Sequence, residues 1–195
     1  MRRRASERLL GRDQPAVDAR SARRRHYGCP VLSTLLAQVS WLPAVVLLLT
    51  VLVGPFVGTA IVRRPKLLRV LWLVSLVILA GLTLYPEGGA GRDVACTIEA
   101  PYFSLRAAET LANVLLFIPP VGLTGLLFRR PALAALAGSV ASALIELGQA
   151  VVPAIGRACD TGDWITNTTG AVLGGVIAAT ALSLARRRQG HATGR

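Results

Sequence analysis

Residues 111–152 read LANVLLFIPPVGLTGLLF, then RRP, then ALAALAGSVASALIELGQAVV. Two apolar runs are separated only by Arg129-Arg130-Pro131. Each run is long enough to cross a hydrocarbon core as a helix, which takes about 20 residues. In lipid, a lone apolar segment must satisfy its backbone internally, and a helix is how it does so. The few polar residues are widely spaced, with Asn113 early in the first run and Ser139, Ser142, Glu146 and Gln149 in the second. At about 100° per residue, these last four share one narrow stripe of a helix.

The same pattern extends outward. Upstream lie apolar runs over residues 31–62 and 67–85, and downstream one over 165–185. Arg63-Arg64-Pro65-Lys66, Pro86, Pro153 and Arg186-Arg187-Arg188 punctuate them. The fold class expected is all-α, a polytopic transmembrane helical bundle. It comprises an N-terminal segment over 31–62 and a four-helix membrane domain over 67–185. A disordered Arg-rich tail over 1–30 precedes them and a basic cytoplasmic tail over 186–195 follows. Proline removes a backbone donor, so Gly54-Pro55 and Pro119-Pro120 are expected to kink their helices.

Composition agrees. Of 195 residues, 53% are hydrophobic and 16% charged, with a mean hydropathy of +0.54. That is too apolar for an ordinary soluble domain. The net charge of +12 raises nucleic acid as a partner. The arginines, however, crowd the tails and the joints between apolar runs, as topology signals do, and no soluble fold remains to present a basic face. No nucleic acid is expected.

If five helices alternate, the Arg63–Arg69 joint, the Arg129-Arg130 joint and Arg186–Arg188 fall on one side, the cytoplasmic side. The loops around 86–108 and 153–164 then lie outside. The Arg-rich N-terminal tail would also lie outside, against the same rule. Three explanations stand: a re-entrant first run, a true start further downstream, or an exported tail, with the downstream start preferred.

On this topology Asn113, Glu146, Gln149 and Asn167 come from three helices and share the outer leaflet. Glu146 lies about 10 Å beneath the outer end. Arg157, Asp160 and Asp163 sit just above them. One reading makes the polar residues hydrogen-bonding glue between helices, with Asp163 capping the last helix. The other makes them a site, because an ionisable residue at membrane depth is costly. Glu146 either pairs with Arg157 or sits protonated in a polar pocket. Gly170, Gly174 and Ala178 form a small-residue face that admits a close helix neighbour.

These residues resemble the VanZ-like membrane proteins over roughly residues 71–184. Asn113-Val-Leu-Leu-Phe117-Ile-Pro119 looks like a first family motif and Glu146-Leu-Gly-Gln149 a second. Arg157, Asp160, Asp163, Asn167 and Gly170 match a third by identity and spacing. One departure is Pro119-Pro120-Val121-Gly122, which sets the Gly one place later than is usual in the family. The resemblance implies a multi-pass protein of the bacterial plasma membrane and cell envelope, linked through the family's namesake to antibiotic resistance of the teicoplanin type.

The ligand-binding set expected is therefore Asn113, Glu146, Gln149, Arg157, Asp160, Asp163 and Asn167. Partners expected are the lipid bilayer and a cell-wall lipid precursor or lipoglycopeptide. The chain is read as a binding or shielding protein rather than an enzyme. The alternative is a small intramembrane enzyme using Glu146 with Asp160 or Asp163 as acid and base on a lipid-linked substrate. A third reading is a scaffold that docks another membrane protein on the Gly170/Gly174 face.

Cys96 and Cys159 fall in the two outer loops, where an oxidising exterior permits a disulfide, leaving Cys29 free. His26 and His191 lie in the tails, so no metal site is expected. No cofactor fingerprint is present. Asp160-Thr161-Gly162 lacks the strand context of an aspartic protease, and the Asn167-Thr-Thr sequon lies inside a span.

Overall fold

A computed structural model describes residues 41–85, 96–97, 108–152 and 159–193. Five helices follow in order: α1 (Leu42–Ile61), α2 (Pro65–Leu84), α3 (Ala108–Phe128), α4 (Pro131–Val151) and α5 (Thr161–Thr193). Two two-residue strands, β1 (Cys96–Thr97) before α3 and β2 (Cys159–Asp160) before α5, pair in parallel. All five helices are long and apolar enough to cross a membrane. The expected tail over 1–30 and the start of the first apolar run lie outside the described residues.

Helix boundaries follow local chemistry. Pro65 and Pro131 open α2 and α4, where a missing N–H costs nothing and the fixed φ suits the helix. Between α3 and α4 the chain turns through Arg129, which adopts φ 56°, the left-handed geometry common just past a helix end. Pro55 lies within α1, and Pro119 and Pro120 within α3, and both helices run on past them. Nearby threonines return their hydroxyls to proline carbonyls: Thr59 Oγ1 donates to Pro55 O at 2.7 Å and Thr124 Oγ1 to Pro120 O at 2.6 Å.

α5 corrects the sequence reading at both ends. It begins at Thr161 rather than 165 and continues past 185 to Thr193. Asp160-Thr161-Gly162-Asp163 is therefore not a loop. Asp160 closes β2, and Asp163 lies in the first turn of α5. At 33 residues, α5 is about 50 Å long, so its Arg186–Arg188 end projects beyond a hydrocarbon core of about 30 Å.

α5 is the central element and packs on α3, α4 and α1, while α2 lies against α3. Its small residues make this possible. A Cβ on Gly174 would stand 2.7 Å from Ile118 O and 3.0 Å from Gly122 N, and one on Gly170 would collide with Val114 O. The Gly170/Gly174 face is thus taken up by α3 of the same chain. That overturns the scaffold reading, which needed this face for another protein.

The core runs along this contact. Phe117, Val121, Ala134 and Ala171 are buried at its centre, and Leu68, Leu126, Ala178, Ala181 and Leu182 form a second cluster. Trp72 pins α2 to α3: Nε1 donates to Thr124 Oγ1 at 2.9 Å, and the indole meets Phe128 edge-on at 6.4 Å. The outward faces carry exposed Leu48, Leu52, Val77, Leu136, Leu144 and Val176. Apolar exposure of this kind on every helix is stable only in lipid.

Candidate functional site

One end of the bundle gathers the C-terminal ends of α2 and α4 with the N-terminal ends of α3 and α5. Three side-chain hydrogen bonds tie these ends together. Gln149 Nε2 on α4 donates to Thr83 O on α2 at 2.8 Å. Asn167 Nδ2 on α5 donates to Ser142 Oγ on α4 at 3.0 Å. Asn113 Nδ2 on α3 donates to Asp163 Oδ1 on α5 at 2.7 Å. The joints bearing Arg63, Arg64, Lys66, Arg129 and Arg130 lie at the opposite ends of these helices.

The bonds border a cavity of about 240 Å³. Its polar lining is Asn113, Glu146, Gln149, Asp163, Asn167 and Thr83, with Leu82, Ala112, Leu116 and Ile145 completing the wall. The floor is buried: Glu146 is 7% exposed, Gln149 6% and Asn167 5%. The mouth is open, with Asp163, Leu82 and Ala112 exposed and Asn113 half-buried. The site is thus an amide-rich, carboxylate-bearing pocket that runs from exposed to buried side chains.

The base holds an unmet group. Asn167 Oδ1 is buried and has no hydrogen-bond partner. The Ser142 hydroxyl, itself fully buried, serves only one end of that amide. Leaving a buried acceptor unpaired costs on the order of 1–3 kcal/mol, and such a group calls for a specific explanation.

Five of the seven expected residues, Asn113, Glu146, Gln149, Asp163 and Asn167, line this one cavity. Asp160 stands at the end of β2, directly before α5. Arg157 lies outside the described residues, so its expected pairing with Glu146 does too. The Ser/Glu/Gln stripe of α4 divides in two. Ser142 supports the cavity through Asn167, whereas the Ser139 hydroxyl meets Thr168 Oγ1 at 2.9 Å and its carbonyl accepts from Trp164 Nε1 at 3.3 Å. Ser139 is therefore interhelical glue. Asn113, equally open to that reading from its spacing, both bridges helices and lines the site.

Sequence reasoning missed Thr83. Its hydroxyl donates to Leu79 O at 2.8 Å, and its carbonyl anchors Gln149. A threonine near the end of an otherwise apolar span was the available signal. Among the described residues, no group of three or more His, Cys, Asp and Glu is placed to hold a metal ion.

A second, apolar groove of about 370 Å³ lies among α1, α2, α3 and α5. Its wall includes Leu71, Val74 and Ile78 of α2 and Pro119, Leu123 and Leu126 of α3. Ile78 stands one helical turn from Leu82 on the same stripe, and Pro119 likewise from Leu116. Leu82 and Leu116 both line the polar cavity.

The family model described as VanZ/LLP1 matches residues 44–182. The match begins within α1 and so takes in the first helix as well as the four that carry or flank the motifs. No curated protein and no solved structure matches the chain.

Proposed function

The chain belongs to the VanZ/LLP1 family of multi-pass membrane proteins, and from that premise we propose that its polar cavity captures the head of an amphiphile at the outer leaflet of a bacterial plasma membrane. The observation that carries this reading is the buried Asn167 Oδ1, an acceptor without a donor at the base of a pocket that a headgroup can enter. A ligand amide, hydroxyl or ammonium group would supply the missing donor.

The rest of the pocket fits the same chemistry. Gln149 and Asn113 offer amides to sugar or peptide groups, and Glu146 and Asp163 favour donors over anions. Arg157, two residues before Cys159 in the chain, would take a phosphate or carboxylate of the ligand with its fork of donors. The apolar groove one turn away would hold a hydrocarbon tail within the bilayer. The cavity's end of the bundle faces outward because the arginine-bearing joints keep the cytoplasmic side. Cell-wall lipid precursors and lipid-tailed glycopeptides both combine such a head with such a tail. Binding or shielding one of them would contribute to teicoplanin-type resistance.

A second reading has one observation in its favour: Glu146 and Asp163, two carboxyl groups in unlike surroundings, line the same cavity. One buried and one exposed carboxyl is the arrangement from which an acid and a base are made. The substrate would then be a lipid-linked molecule undergoing hydrolysis or group transfer.

Teicoplanin susceptibility in a sensitive Gram-positive host tests both readings. Cells carrying empty vector, the wild-type chain, Asn167→Leu, Arg157→Ala and Glu146→Gln are compared at matched membrane levels. Binding predicts resistance that Asn167→Leu and Arg157→Ala abolish and the isosteric Glu146→Gln largely keeps. Catalysis predicts that Glu146→Gln falls to the vector baseline. A well-expressed wild-type chain that confers no resistance refutes the teicoplanin role.

A further inference from the structure

β1 and β2 bring two cysteines from distant parts of the chain into register. Cys96, between α2 and α3, is the ladder partner of Cys159, and Thr97 that of Asp160. Neighbouring strands lie about 4.7–4.9 Å apart, within the range of about 4.4–6.8 Å between Cα atoms that a disulfide spans. A two-residue ladder has little backbone pairing to hold it, so this register sits where a covalent link matters most.

We propose that Cys96 and Cys159 form a disulfide that holds the start of α5 in place. β2 runs without a gap into α5 and rests against α4. The first two turns of α5 carry Asp163 and Asn167, which supply the rim and the base of the polar cavity. Closing the bond removes two thiol hydrogens as two protons and two electrons. The electrons pass to the disulfide of an extracytoplasmic thiol oxidoreductase through a mixed disulfide, leaving that oxidant as a dithiol. The cavity is then preorganised when oxidised and loosened when reduced. This inference rests on the outward orientation of the cavity and is independent of what the cavity binds.

The test uses the full chain in membranes, quenched with acid and alkylated without reductant. The expected result is a linked peptide pair containing Cys96 and Cys159, neither alkylated, with Cys29 labelled as the internal control. Alkyl groups on both Cys96 and Cys159, or a link from either to Cys29, overturns the proposal. Hydrogen exchange in the purified chain reads the positioning role. Amides of residues 164–168 should exchange about tenfold faster after reduction, and a Cys96→Ser/Cys159→Ser double variant should show the fast rate with or without reductant. Equal rates in the two redox states refute the role even if the bond is found.

Discussion

Gly174→Ala adds one methyl group where α5 crosses close against the backbone of α3. The new Cβ would meet Ile118 O at 2.7 Å and Gly122 N at 3.0 Å. Both are backbone atoms of α3, so no rotamer change relieves the contact. Ordinary contact begins near 3.4 Å, and α3 and α5 must therefore part by about 0.7 Å. Overpacking of this kind costs about 1–3 kcal/mol, against about 0.5–1 kcal/mol regained by replacing glycine in a helix. The expected net loss is about 1–2 kcal/mol. Gly148→Ala on α4 is the matched control. Nothing lies within 4 Å of its new Cβ, so it should be neutral or stabilising by up to about 1 kcal/mol. Unfolding in mixed micelles with increasing sodium dodecyl sulfate, followed by tryptophan fluorescence, measures both. The parting of α3 from α5 should also strain the 2.7 Å bond between Asn113 and Asp163, coupling the packing to the site. Equal stabilities for Gly174→Ala and Gly148→Ala would refute the close-crossing argument.

Two further substitutions probe other parts of the fold. Gln149→Leu deletes the donor to Thr83 O and should cost about 0.6–1.7 kcal/mol, the range for polar contacts between membrane helices; an unchanged unfolding midpoint would count against the tie between α2 and α4. Arg129→Gly relieves a left-handed backbone at φ 56°, worth about 1 kcal/mol, and should raise that midpoint; a fall would show that the arginine contributes more than its conformation costs.

The two arms of the α4 stripe show where sequence reasoning reached its limit. Ser139 and Ser142 occupy the same face by spacing, and nothing local separates them. Only the neighbours do so: Thr168 stands across from Ser139 and Asn167 across from Ser142. Thr83 escaped notice for a related reason, since its contribution to the site is a backbone carbonyl, which carries no sequence signature. Asp163 was placed in a loop because α5 gains its first turn before its apolar run begins, and hydropathy marks only the run.

What the amino-acid sequence determined alone is what local chemistry controls. Span number follows from apolar length, the two ends of the bundle from the arginine joints, and the depth of Asn113, Glu146, Gln149 and Asn167 from their distance to a helix end. These are one-dimensional quantities read against a layered solvent. Which helix faces which was decided only by tertiary packing. Periodicity defines a face but not its neighbour, so the small-residue face of α5 had no assigned partner until α3 filled it. The same packing left Asn167 Oδ1 buried and unmet, and it is on that atom, rather than on any motif, that the proposed ligand reading rests.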